Sequence, residues 1–238
     1  MNDVDILKSF YSGDELQKAL QKYESGIPAA YILGEWEFFG DRYLLNNDCL
    51  IPRCDTERVV EKLIESLTCG SRFADVCTGS GCIAISTLKR VKDSYCVAVE
   101  LSKNAADMAK KNAELNGVSD RLEVICADAF DCPLGDEVFD AIVSNPPYIP
   151  TRDLDVLDEY VKKEPSIALD GGKDGMDFYR LLLTKYKNNL SPKGRFIFEI
   201  GYDQEMQISH LAKERGFSCK VYKDYSGNPR VAVIEKII

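Results

Sequence analysis

Asn145-Pro146-Pro147-Tyr148, flanked by Ser144 and Ile149-Pro150, is the stretch whose residue types most narrow the chemistry. Two prolines stiffen the backbone and remove two N–H donors, so nearby carbonyls are left to accept from a ligand. Asn145 adds a side-chain carbonyl, and Tyr148 adds a flat face. Such a set holds a planar –NH2 group: Asn145 Oδ1 and the Pro146 carbonyl take its two hydrogens, Pro147 keeps the turn rigid, and Tyr148 packs on its plane. An amide or aromatic amine nitrogen is a poor nucleophile because its lone pair is delocalised. Accepting both hydrogens favours localising that pair and aims it at an electrophile. Catalysis of this kind is positioning plus electrostatics, with no side chain obliged to act as a strong base. On this reading Asn145→Asp, which keeps an acceptor, is expected to damage the reaction less than Asn145→Ala.

A second group of residues lies upstream. Asp75-Val76-Cys77-Thr78-Gly79-Ser80-Gly81 closes one apolar run, Glu100 closes the next, and Asp128-Ala129-Phe130 follows a third. Gly79 and Gly81 allow close backbone approach to a ligand, although no third glycine completes a dinucleotide fingerprint. A carboxylate about twenty residues after such a loop can accept from both hydroxyls of a ribose. Asp128 can accept from an adenine amino group while Phe130 lies near the ring. Three acids ending three consecutive strands fit a cofactor with ribose, adenine and no phosphate. S-adenosylmethionine is that cofactor, and its positive sulfonium and ammonium suit an acidic cleft that Asp75 extends.

The surrounding pattern supplies elements to position both groups. Strands are expected at Phe73–Cys77, Tyr95–Glu100, Leu122–Cys126, Phe139–Ser144 and Arg195–Ile200. Helices are expected at Cys82–Val91, Lys103–Asn116 and Met176–Leu190. This alternation predicts right-handed crossovers and a parallel sheet covered on both faces. A helix over Asp203–Arg215, a strand Phe217–Lys223, a turn at Ser226–Pro229 and a strand Arg230–Glu235 predict an antiparallel hairpin at the end. The fold class is therefore α/β, a mostly parallel seven-stranded sheet ending in an antiparallel hairpin, which looks like the methyltransferase variant of the Rossmann fold. Residues 1–34 read as a short helical segment, with Ser12 and Glu15 forming a capping box and Gly26 and Pro28 ending the helix. Residues 35–54 read as a β-hairpin turning at Gly40-Asp41, and 55–238 as the main domain, its first helix capped by Asp55 or Thr56.

Composition removes several other classes. Hydrophobic residues are 45% and charged residues 29%, an ordinary globular balance. The net charge of −9 opposes a protein that grips long stretches of nucleic-acid backbone. No apolar run is long enough to span a membrane, and the acidic N-terminus is unlike a signal peptide, so a cytoplasmic protein is expected. Nine cysteines without a C-x-x-C pair, beside a single histidine, His210, give no zinc site. Cys77, Cys96, Cys126 and Cys219 lie in apolar runs and read as small buried hydrophobes in a reducing compartment.

Asn-Pro-Pro-Tyr after the fourth strand is shared by methyltransferases that act on amino groups of adenine, guanine and glutamine. The chain further resembles one branch, the protein-(glutamine-N5) methyltransferases of peptide chain release factors (the HemK/PrmC family). The stretches that carry this are Tyr31–Gly40, Leu50–Glu57, Asp75–Ile85, Val143–Pro150 and Phe198-Glu199-Ile200-Gly201. The resemblance implies that Cys77–Gly81, Glu100, Asp128-Ala129 and Asn145 bind S-adenosylmethionine. It also implies that Asn145–Tyr148 take the glutamine of a release factor's Gly-Gly-Gln loop. The family usually has Gly where Cys77 stands, Pro where Cys54 stands, and a larger helical N-terminal domain than the roughly thirty residues here. Two other readings remain open: an amino-group methyltransferase acting on nucleic acid, and a non-catalytic binding module of the same fold.

Overall fold

The computed structural model describes residues 2–131 and 134–237. Three short helices, α1 (Asp3–Phe10), α2 (Gly13–Glu24) and α3 (Ala29–Leu33), come first. They are held together by Leu7, Ala19 and Ala29 with Tyr23, Ile32 and Trp36 around them. Ser12 stands at the start of α2 but its side chain makes no capping bond. Gly13, left-handed at φ +56°, takes the chain off the geometry a capping box needs.

Strands β1 (Glu35–Phe38) and β2 (Asp41–Leu44) form the expected hairpin. Its turn residues are Phe39 and Gly40, at φ 53° and 73°, rather than Gly40 and Asp41. Positive φ at both central positions gives the twist that a two-residue hairpin needs. Phe39 is held there by Glu57 Oε1, which accepts from its N–H at 3.0 Å, and by the Arg90 guanidinium 4.4 Å from its ring centroid.

The main sheet has β3 (Arg72–Val76), β4 (Tyr95–Glu100), β5 (Leu122–Cys126), β6 (Phe139–Ser144), β7 (Leu190–Glu199), β8 (Phe217–Lys223) and β9 (Pro229–Lys236). Their spatial order is β5-β4-β3-β6-β7-β9-β8, parallel from β5 to β7 and antiparallel at β9 and β8. Helices α4 (Glu57–Ser66), α5 (Cys82–Arg90) and α6 (Lys103–Leu115) bring their apolar residues to one face with Phe73, Ala98 and Val143. Helices α7 (Asp177–Lys185) and α8 (Glu205–Glu214) cover the other, against Ala74, Val97 and Ile142. A strand buried on both faces must be apolar throughout, which is why the central runs lack polar alternation.

Four local expectations change. Helix α7 ends at Lys185, and β7 starts at Leu190 instead of Arg195, with a register shift between Phe139 and Ala141 where the extra residues enter. Asn189 stops the helix there by donating to the Gly135 and Glu137 carbonyls. Helix α4 is not capped by Asp55 or Thr56. A 3-10 turn over Cys54–Thr56 leads into it, and Thr56 already has helical dihedrals. Finally, Cys96 is fully buried, but Cys77 and Cys219 are half-buried and Cys126 is exposed. Cys126 and Cys219 lie on β5 and β8, the two edge strands.

The chain order reverses between β3 and β6: β3, β4 and β5 run outward one way, β6 and β7 the other. A crevice opens beyond the carboxyl ends of strands at such a switch point. In register, Val76 faces Ser144, so the loops that begin with Cys77 and Asn145 leave the sheet side by side. Ser144 Oγ locks them together by donating to the Val76 carbonyl at 2.5 Å.

Candidate active site

Beyond β3 the chain is forced into left-handed backbone three times, at Cys77 (φ 64°), Gly79 (φ 57°) and Gly81 (φ 81°). This winding starts α5, and most of the loop's amides are used within the protein: the Cys77 and Thr78 N–H groups donate to Val99 O (2.9 and 3.1 Å) and the Gly81 N–H to Thr78 O (2.9 Å). Gly81 has a packing reason to be glycine: a Cβ there would lie 2.9 Å from Ile85 Cδ1 and 3.2 Å from Ala109 Cβ on α6. Asp75 is fully buried at the foot of the loop, where its Oδ2 accepts from Thr78 Oγ1 (2.6 Å) and the Ala84 N–H (3.3 Å). Its other oxygen has no partner among the described residues, and burial pushes its pKa up to about 7. Asp75 therefore shapes the loop from beneath and does not extend an acidic cleft. Gly81 likewise stays out of the cleft wall.

The cleft itself has a volume of about 170 Å³. The expected Cys77, Thr78, Gly79, Ser80, Glu100, Asp128, Ala129, Phe130, Asn145 and Pro147 all line it. Glu100 accepts from the Gly79 and Ser102 N–H groups, both at 2.8 Å, so the acid on β4 also holds the glycine loop of β3. Burial raises its pKa, and those amide donors oppose the rise. Asp128 folds back on its own turn, accepting from the Phe130 N–H at 2.8 Å. Phe130 meets Phe178 edge to face, with centroids 5.4 Å apart, leaving an aromatic wall beside the acid. Burial raises the Cys77 thiol, so it is no nucleophile.

S-adenosylmethionine fits this donor set. Two carboxylates, Glu100 at the end of β4 and Asp128 just beyond β5, line the cleft from adjacent strands, an aromatic wall flanks the second, and Ser80 Oγ is buried without a partner among the described residues. No group of His, Cys, Asp and Glu suited to a metal ion occurs among the described residues.

A second, smaller cavity of about 110 Å³ lies next to the first, lined by Tyr148, Ile149, Val161, Leu169 and Glu199. Asn145 belongs to the walls of both cavities. Pro146 and Pro147 are buried, and no hydrogen bond among the described residues uses the Pro146 carbonyl. The expectation of free carbonyls fails further along, because Gln204 Nε2 donates to Tyr148 O (2.9 Å) and Gly171 N–H to Ile149 O (2.8 Å).

Several residues here were not among the expected site residues, and Thr56 was expected only as a helix cap. Thr56 Oγ1 donates to Glu199 Oε2 at 2.6 Å and accepts from Asn145 Nδ2 at 3.3 Å. Tyr148 OH donates to Glu199 Oε1 at 3.2 Å. Arg53 pairs with the buried Glu164, whose Oε2 also accepts from the Ile51 N–H at 3.0 Å, and Arg53 lines both cavities. Glycines 171 and 175 pack on the acceptor loop. A Cβ on Gly171 would lie 2.7 Å from Tyr148 Cα, and one on Gly175 would lie 2.3 Å from Tyr148 O. Glu199 could have been found by the rule that singled out Glu100, since it too is an acid closing a strand.

Residues 55–197 match the methyltransferase small domain family. A structure titled SMU.776, a putative methyltransferase complexed with SAH, shares the fold (TM-score 0.60, 15% identity, 85% of this chain and 56% of that one). Fold and site together define an S-adenosylmethionine-dependent class I methyltransferase. Release factor glutamine methyltransferase of Aquifex aeolicus (strain VF5) is 35% identical over 234 residues, covering 98% of this chain and 81% of its own. That of Geobacter sulfurreducens is 41% identical over 206 residues, covering 86% and 72%. The crystal structure of a release factor-specific protein-(glutamine-N5) methyltransferase from Alicyclobacillus acidocaldarius covers 82% of this chain and all of its own, with 30% identity and a TM-score of 0.50. The chain belongs to the release factor glutamine methyltransferase family.

Proposed function

We propose that the protein transfers a methyl group from S-adenosylmethionine to the side-chain amide nitrogen, N5, of a release-factor glutamine, the one in its Gly-Gly-Gln loop. The observation that carries this is Asn145, which stands in the walls of both the larger cleft and the smaller cavity beside it. The bound cofactor supplies a methyl group on a positively charged sulfur, which keeps the electron pair and leaves as a neutral thioether. The chain's residues do the rest. Glu100 and Asp128 are placed to hold the ribose and adenine, and Gly79 and Ser80 to bring backbone close to them. Asn145 Oδ1 and Pro146 O accept the two N5 hydrogens, so the nitrogen's lone pair faces the methyl carbon across the junction. Tyr148 packs on the amide plane. As the N–C bond forms, N5 sheds one of those hydrogens to water. The two acceptors lower the barrier by favouring the nitrogen as its charge becomes positive.

The partner is a protein. At a net charge of −9 no stable grip on nucleic acid is expected. No helix among the described residues is long and apolar enough to cross a membrane. The reading is of a cytoplasmic enzyme, in keeping with eight free cysteines among the described residues. The test is mass spectrometry of a bacterial release factor after incubation with enzyme and cofactor. One added methyl on the Gly-Gly-Gln peptide is the expected result. Methylation of DNA or RNA with an unmodified release factor would overturn it.

A further inference from the structure

Asn145 can serve as an acceptor only if its amide is turned the right way. The oxygen and nitrogen of an asparagine side chain are nearly the same shape, so packing alone does not choose between them. The choice is made by a buried relay. The Thr56 hydroxyl has a single hydrogen, and that hydrogen goes to Glu199 Oε2 at 2.6 Å. What Thr56 can then offer Asn145 is a lone pair, and Asn145 Nδ2 donates to it at 3.3 Å. A reversed amide would set Oδ1 against Thr56 Oγ1 with no hydrogen between them, an unmade bond in a buried place. Thr56 and Glu199 are 2% and 1% exposed, so water does not substitute for either.

Glu199 anchors the relay from the end of β7, where its backbone is fixed against Val231 of β9. Its second oxygen accepts from Tyr148 OH at 3.2 Å. One carboxylate thus orients both ends of the acceptor loop, Asn145 through Thr56 and Tyr148 directly. Arg230, on the adjacent β9, sets a half-buried positive charge nearby and is itself tied to Asp55 (3.4 Å) and Asp224 (3.3 Å).

We infer that Thr56 and Glu199 are positioning residues that lock the Asn145 side chain with Oδ1 toward the acceptor amide, and so make the site selective for glutamine over glutamate. A primary amide brings two hydrogens to Asn145 Oδ1 and Pro146 O. A carboxylate brings none and meets acceptors only, which is rejection by unpaired buried groups. This inference rests on the glutamine-methylation reading.

The test pairs Thr56→Val, which keeps the shape and loses the hydroxyl, with Thr56→Ser, which keeps the hydroxyl and loses the methyl. Single-turnover methylation of a release factor at saturating cofactor should slow about ten- to a hundredfold in Thr56→Val. Thr56→Ser should restore most of that rate, and calorimetric cofactor affinity should stay within about twofold in both. An independent readout is the ¹⁵N spectrum of the Asn145 side-chain amide, assigned by its loss in Asn145→Ala. Its protons should shift in Thr56→Val and stay near their wild-type positions in Thr56→Ser. If Thr56→Val also loses cofactor affinity, Glu199→Gln takes its place: its amide can donate to Thr56, turn that hydroxyl toward Asn145 and admit the reversed side chain, so methylation should again slow. A wild-type rate in Thr56→Val or Glu199→Gln, or a Thr56→Ser rate as low as that of Thr56→Val, would overturn the relay. A wild-type enzyme that leaves release factors unmodified would instead overturn the functional reading, and the amide spectra would still decide the relay.

Discussion

The two loops that meet at the switch point are built by different means. The cofactor loop, Cys77–Gly81, is a backbone device: left-handed dihedrals turn it, and its Gly79 N–H is tied to Glu100. The acceptor loop, Asn145–Tyr148, is a side-chain device. Its groups are aimed by Thr56, Glu199 and Gln204 and held down by glycines from the segment that follows. A ligand held by strand-end acids beside a closely approaching backbone should tolerate changes of side chain within the loop. A reacting nitrogen that must be pointed to within a fraction of an ångström does not. Substitutions in the first loop should therefore act on affinity and stability, and those in the second on rate.

The largest effect expected on the cofactor side is on stability and comes from below the loop. Burial holds the Asp75 carboxyl near pKa 7, above its ordinary 3.8, so the native state binds that proton more tightly than the unfolded chain does. Asp75's contribution to stability is then present below about pH 4 and is lost as the pH rises to about 7, by up to about 4 kcal/mol. Chemical denaturation of wild type and Asp75→Asn across this range isolates it: the difference between the two should shift toward the variant as pH rises. A pH-independent difference would show that Asp75 titrates normally.

On the acceptor side, Gly175→Ala should cost most. Its Cβ would meet Tyr148 O at 2.3 Å and Gln204 Nε2 at 2.7 Å, at a residue whose φ is +75°. The loop must move, and a displacement of about 1 Å is worth roughly a hundredfold in rate. Methylation assays should show that loss with cofactor affinity nearly unchanged. Asn145→Ala should follow, ten- to a hundredfold down, by loss of one acceptor. The hydrogen bond from Nδ2 to Thr56 reverses the order expected from sequence for Asn145→Asp. An aspartate oxygen there would compete with Glu199 for the one Thr56 hydrogen and set a second carboxylate beside it. Asn145→Asp should be at least as slow as Asn145→Ala, and a faster Asn145→Asp would count against the relay.

Glu100→Ala sharpens the contrast from the other side. The variant loses the anchor of the Gly79 amide and, in the proposed mode of binding, a ribose acceptor as well. Hydrogen bonds to a charged group contribute about 1.5–3 kcal/mol, so calorimetry should show at least a tenfold weaker cofactor. Single-turnover rate at saturation should remain within a few-fold of wild type.

The strands at Tyr95–Glu100 and Phe139–Ser144 were legible to the residue because a central, doubly buried strand is a mainly apolar run, and the edge strand Leu122–Cys126 because its apolar residues are bounded by turn signals. Chain order through the switch point then placed Cys77 beside Asn145. Glu100 and Asp128 were legible as acids closing strands, but Asp75, grouped with them, lies one residue inside β3 and is tied to Thr78 and Ala84 beneath the loop. Sequence position says where a strand ends and not which way its last side chain faces. Thr56 and Glu199 meet across 143 positions, and Gly175 packs against Tyr148 at the end of a long connection of short 3-10 turns. Such pairings depend on where loops land in three dimensions, which periodicity does not encode. Arg195–Ile200 was read as a strand, yet the glutamate within it was given no partner because its partner arrives from another loop.

The smallest expected effect lies at Cys77. The residue sits at φ 64°, a conformation that costs a side chain with a Cβ about 1–2 kcal/mol and costs glycine nothing. Glycine also gives the unfolded chain more freedom, which opposes by about 0.5–1 kcal/mol. The Cys77 side chain is half-buried in the cleft wall, so its removal forfeits part of an apolar contact as well. These terms nearly cancel, and Cys77→Gly should change unfolding free energy by no more than about 1 kcal/mol, in the stabilising direction if relief of strain dominates. Cofactor affinity should stay level or tighten, since the thiol no longer stands where the ligand approaches. Denaturation and calorimetry on the one variant read both quantities. A large fall in affinity in a stably folded Cys77→Gly would mean that this loop, too, holds its ligand by a side chain, and the contrast between the two loops would collapse.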